Sequence, residues 1–231
     1  SLTVWYFVWF RRHGQRVPQR QRGSSIGADI RKIGQAVGVT LLLLASLSFL
    51  ANGAMRGPAY LFAEFMRDNW GSGVGIAGIA LGMYGFAGLV TGPVVGLVVE
   101  RLGVYRGAAL SMIGISVALL FLSQVPTPIW FAVGNFLLGT FGIMAWASLN
   151  TLVVQSMPAH RGTASSIFGS TKFLAQAVSP AWFTPAYQLI SPASIFYIAA
   201  ATAILLLVPL TLLRRRAETG EVRTASESPA D

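Results

Sequence analysis

Six long apolar runs, separated by short polar joints, set the pattern of this chain. They fall at about 36–62, 74–98, 107–124, 129–154, 163–187 and 193–213. Each is close to the roughly 20 residues a helix needs to cross the hydrocarbon core of a bilayer. The joints carry polar and helix-breaking residues: Arg67-Asp68-Asn69, Glu100-Arg101-Leu102-Gly103, Pro126-Thr127-Pro128, Met157 through Gly162, and Ser191-Pro192. The pattern predicts an all-α integral membrane protein, a bundle of six transmembrane helices over 36–213.

The ends read differently. Residues 1–10 are apolar but only half the spanning length, and positive charge follows them at Arg11 and Arg12, the reverse of a signal peptide. With the first methionine at Met55, this stretch reads as the end of a truncated transmembrane helix. Residues 11–35 form a basic linker with Pro18, Gly23, Ser24 and Ser25, and residues 214–231 form a charged, Ser-rich tail expected to be disordered.

Composition supports the membrane reading. Hydrophobic residues make up 54% of the chain and charged residues 11%, against about 25% charged in a soluble domain; mean hydropathy is +0.61. The net charge of +9 does not point to nucleic acid, because the basic residues lie between apolar runs. Of the 17 Lys and Arg, 14 fall in the linker, the joints at Arg101, Arg106 and Arg161, and the tail. The positive-inside rule places that face, with linker and C-terminus, in the cytoplasm of a multi-pass cell-membrane protein. The absence of cysteine excludes disulfides and thiolate chemistry. His13 and His160 have no acidic neighbours at ligand spacing, and the glycines lie in spans rather than in a strand-to-helix loop. No metal, cofactor, nucleotide site or enzyme activity is expected.

Polar residues inside spans are costly and mark candidate solute contacts. Lys172 lies ten residues after Gly162, roughly 15 Å along the helix and near the membrane midplane. Ser165, Gly169, Lys172, Gln176 and Ser179 share one helical face. An intramembrane lysine here is suited to an anionic solute or to a structural carboxylate partner. In the first span Ser48, Asn52, Arg56 and Tyr60 climb in steps of four, and Pro58 should bend the helix. Arg56 falls near the outer rim, able to snorkel or to pair with Glu64. Tyr84 and Thr91 in the second span and Asn135, Trp146 and Asn150 in the fourth are further cavity candidates. Gly139 and Gly142 suit packing as well as binding. In the second span Gly88, Gly92 and Gly96 predict a smooth groove for close helix approach.

Two joints carry more specific patterns. Between the second and third spans the chain reads Gly96-Leu97-Val98-Val99-Glu100-Arg101-Leu102-Gly103-Val104-Tyr105-Arg106. This resembles the G-x-x-x-D-R-x-G-x-x-R loop of the major facilitator superfamily, with Glu100 in place of the commoner aspartate. A carboxylate beside a helix start can meet the positive end of the helix dipole, held by an arginine. Pro158-Ala159-His160-Arg161-Gly162-Thr163-Ala164-Ser165-Ser166 resembles the same family's entry into its penultimate helix.

The resemblance covers essentially the whole chain and implies the C-terminal six-helix half of a secondary transporter. Such a carrier moves a small solute by alternating access, with protons as a candidate coupling ion. It further implies a cytoplasmic gate at Gly96, Glu100, Arg101, Gly103, Arg106, Arg161 and Gly162, and a partner in the absent N-terminal half. Lys172, Gln176 and Asn52, with Arg56, Asn135, Trp146 and Tyr84, are the expected solute contacts. The alternative is a self-contained six-helix membrane protein acting as a sensor, scaffold or assembly factor.

Overall fold

The computed structural model describes residues 38–156 and 161–215; residues 1–10, the linker over 11–35, Pro158 through His160, and the tail beyond 215 lie outside them. The described residues are helical, with no strand among them. The helices are α1 (Gly38–Arg56), α2 (Phe62–Trp70), α3 (Val74–Leu102), α4 (Val104–Leu122), α5 (Pro128–Ser156), α6 (Arg161–Val178), α7 (Pro180–Leu189) and α8 (Ser194–Leu205).

Four runs are long and apolar enough to cross a membrane: α3, α4, α5 and the stretch Ser194–Arg215 that begins with α8. They match four of the expected spans to within a few residues. Outward side chains on α4, α5 and α8 suit a lipid solvent, with Val117, Ile129 and Leu205 at least 60% exposed.

The other two expected spans are each broken. The first passes from α1 through Gly57 into a 3-10 turn, Pro58–Leu61, and then into α2. Pro58 cannot donate the hydrogen bond that Ala54's carbonyl would accept. The fifth breaks at Ser179, where Pro180 likewise removes the bond to Gln176's carbonyl and α7 begins. The Pro58 bend was expected; the Pro180 break was not.

The joint Arg67-Asp68-Asn69, expected as a loop, is helical and belongs to α2. The helix ends later, at Gly71, whose positive φ of 60° lets its N–H donate to the carbonyl of Arg67. Packing holds this turn: Phe62, Phe65 and Trp70 meet Phe131 of α5, and Phe62 and Phe65 also meet Phe196 of α8, at ring-centroid distances of 5.0–5.9 Å.

The two broken segments are tied together along their length. Ser48 Oγ donates to the carbonyl of Phe168 at 2.9 Å, Tyr60 and Thr184 hydroxyls pair at 2.8 Å, and Tyr187 Oη donates to Asp68 at 2.7 Å. The breaks themselves touch: a Cβ on Gly57 would stand 2.8 Å from Ser179 Oγ and 2.5 Å from Phe183.

Helix α5 is the centre of the unbroken set, packed on α3 and α4, with α8 against α4. Ser116 Oγ donates to the carbonyl of Ala200 and joins α4 to α8 at 3.0 Å. The groove expected along Gly88, Gly92 and Gly96 is not the seam between α3 and α5. Gly88 faces Ile143, but Gly92 and Gly96 meet nothing within 4 Å. The smooth surface lies on α5 instead. A Cβ on Gly139 would strike Tyr84's backbone carbonyl, and one on Gly142 would stand 2.5 Å from Tyr84 Oη.

Candidate functional site

Five of the seven expected solute contacts fall into two groups, each built around a cation resting on an aromatic ring. In the first, Arg56 ends α1 just before the Gly57 break, and its guanidinium carbon lies 4.2 Å from the centre of the Tyr84 ring on α3. Glu64 does not take Arg56; it bonds Arg67 at 3.3 Å. Arg56, Tyr84 and Asn135 of α5 all line one cavity of about 380 Å³, whose other walls are mainly apolar: Met55, Ala59, Phe62, Leu81 and Leu138, with Gly82 and Gly85.

Asn135 is 1% exposed, and its amide nitrogen is buried without a hydrogen-bond partner among the described residues. Such a group costs about 1–3 kcal/mol, so the position carries a cost that an acceptor on a bound molecule would remove.

In the second group, Lys172 of α6 places its Nζ 4.2 Å from the centre of the Trp146 ring on α5 and 5.7 Å from that of Phe173. Trp146 also packs against Phe168, with ring centroids 5.5 Å apart. A cation over an aromatic face is worth about 0.5–2 kcal/mol, more as water is excluded. The sequence reading missed Phe168; it lies four residues before Lys172, on the same helical face, and that spacing was the available signal.

Asn52 and Gln176 join neither ring contact. Asn52 is 3% exposed, and its Nδ2 donates to the Ser48 carbonyl of its own helix at 2.9 Å. Since Ser48 in turn bonds Phe168, Asn52 supports the α1–α6 contact one turn from Lys172. Gln176 is half-buried, one turn beyond Lys172 and beside the Pro180 break. Of the expected polar face, only Ser179 is fully buried; it donates to the carbonyl of Ala175 at 2.6 Å. Thr91 donates to the Ala87 carbonyl at 2.7 Å and lies 3.4 Å from Thr140.

Eleven residues separate Asn135 from Trp146 on α5. That is about three turns and roughly 16 Å, so both project from nearly the same side of the helix. Gly139 and Gly142, closed against Tyr84, lie between them. The two cation–aromatic groups thus flank the tight α3–α5 contact.

The residues of the expected gate gather at one end of the bundle. Gly96, Glu100 and Arg101 are in the last turns of α3, and Arg106 is in the first turn of α4. A single residue, Gly103, joins the helices; its φ of 82° is a conformation that side chains resist. Arg161 and Gly162 open α6. Glu100, Arg101, Arg106 and Arg161 are all exposed, and Glu100 makes no ion pair among the described residues.

Among the described residues, four runs of membrane-spanning length stand beside two proline-broken segments with polar side chains, and a one-residue glycine joint links α3 to α4. No curated protein matches the chain. Over residues 41–230 the sequence matches the Major Facilitator Superfamily, and the chain belongs to that superfamily of membrane transporters.

Proposed function

We propose that the described bundle crosses the membrane six times and forms the C-terminal half of a secondary carrier. It passes a small solute by alternating access between the two cation–aromatic groups. The observation that carries this reading is the placement of the cations. Arg56 and Lys172 each sit on a broken pass, and each rests at 4.2 Å on a ring borne by an unbroken neighbour. Broken helices free backbone groups and allow movement at membrane depth, where continuous helices are rigid and self-satisfied.

A second bundle is the partner this reading requires. The open face of α3 supports it: Cβ atoms added at Gly75, Gly78, Gly92 or Gly96 would meet nothing within 4 Å, and only 17% of its most apolar window is buried. Glu100, Arg101, Arg106 and Arg161 would act there as the cytoplasmic gate. The concentration of Lys and Arg at that end supports the orientation. The acids of the described bundle, Glu64, Asp68 and Glu100, lie towards helix ends. Proton coupling would therefore draw its carboxylate from the other bundle.

The test is flux of the carrier's solute in proteoliposomes. Lys172→Ala should abolish flux while membrane insertion stays normal. Normal flux would leave Lys172 a structural role only.

A further inference from the structure

We infer that the cavity between α1, α3 and α5 binds a small organic anion, its carboxylate held by Arg56 and Asn135 and its apolar part lodged against Phe62, Leu81 and Leu138. This deepens the carrier reading by naming a substrate class, but binding itself does not depend on transport.

Three observations converge. First, the charge of Arg56 is unmatched among the described residues: no acid of theirs lines the cavity, and Glu64 is engaged with Arg67 at 3.3 Å. Tyr84 takes the guanidinium through its ring. Among the described residues no hydrogen bond or ion pair takes its N–H groups, and that fork matches a carboxylate bidentately. Second, Asn135 lines the same wall, and its buried amide nitrogen has no partner among the described residues; turning the amide about its Cβ–Cγ bond brings that donor to the cavity. Two donor groups without an acid disfavour a cation. Third, the remaining walls are apolar and the volume is about 380 Å³, within the range that holds small organic ligands. An inorganic anion would leave those walls uncovered.

The probe is radiolabelled benzoate, a carboxylate on an apolar ring, bound to the purified carrier in detergent. Benzoate should bind saturably, and benzamide and benzylamine should compete at least about tenfold less well. Arg56→Gln should weaken benzoate by at least about tenfold, and Asn135→Asp similarly, because the new carboxylate would neutralise Arg56 from within.

A lipid phosphate could offer related chemistry, so benzoate binding is repeated in nanodiscs of phosphatidylcholine with and without phosphatidylglycerol. Retained binding supports the organic anion; loss with phosphatidylglycerol assigns the site to a headgroup and overturns the proposal. Absent saturation, equal competition by benzamide, or full binding by Arg56→Gln would also overturn it. Normal flux in Lys172→Ala with intact benzoate binding would sink the two-group route and leave this site standing.

Discussion

Gly57 and Ser179, the residues at the two helix breaks, lie directly against each other: a Cβ on Gly57 would come within 2.8 Å of Ser179 Oγ. The first and fifth passes thus meet where each has lost a backbone hydrogen bond to proline, and three hydrogen bonds join them elsewhere. The contact leaves no room at Gly57, since Phe183 closes the other side. Gly57→Ala should lower stability by about 1–3 kcal/mol through overpacking. Gly53→Ala, one turn earlier with nothing within 4 Å, should be neutral or stabilising by up to about 1 kcal/mol. Thermal unfolding in detergent compares the two.

The seam between α3 and α5 gives a second contrast. Gly139→Ala drives a methyl into Tyr84's backbone carbonyl, which cannot rotate away, whereas Gly92→Ala projects into open space. Gly139→Ala should cost about 1–3 kcal/mol, and Gly92→Ala should not destabilise the isolated bundle. An equal fall in melting temperature for both would contradict this packing.

At the joint between α3 and α4, Gly103 holds φ at 82° and donates its N–H to the carbonyl of Val99 at 2.9 Å. Gly103→Ala should cost about 1–2 kcal/mol of backbone strain. If the melting temperature is unchanged, the joint does not need glycine for its conformation.

The opposite end is held by Tyr187 and Asp68, bonded at 2.7 Å between α7 and α2. Tyr187→Phe keeps the ring and removes the donor, and should cost about 1 kcal/mol. Asp68→Asn in the Tyr187→Phe background should add little, because the two share one interaction. Additive losses would show that Asp68 is held mainly by Arg67, 3.5 Å away.

Much of the fold was legible because lipid demands uniform apolar runs. The unbroken helices α3, α4 and α5 start and stop where charge, glycine and proline change. The Pro58 bend was readable for the same reason, since a proline in an apolar run has one local consequence. The Pro180 break was obscured by the polar face around Lys172, which dominated the periodicity. Arg67-Asp68-Asn69 looked like a loop because its charges suggested water; rings from α5 and α8 hold it in α2, and contacts between distant segments do not show in local sequence.

The candidate site divides in the same way. Lys172, Arg56, Trp146, Tyr84 and Asn135 could each be singled out as polar or aromatic groups in spans. Their pairing could not, because Lys172 meets Trp146 and Arg56 meets Tyr84 only through the packing of separate helices. Gly139 and Gly142 were readable as small but not as the seam, which depends on Tyr84 lying opposite.

Alternating access at Lys172 can be tested without knowing the solute. The chain has no cysteine, so Lys172→Cys gives it a single thiol, and Val117→Cys, at a position 60% exposed on an apolar face of α4, gives a lipid-side control. A charged, membrane-impermeant maleimide is applied to the carrier in oriented membrane vesicles, first from one side and then from the other. Lys172→Cys should be labelled from both sides and Val117→Cys from neither. Labelling of Lys172→Cys from one side only, or from neither, would contradict it.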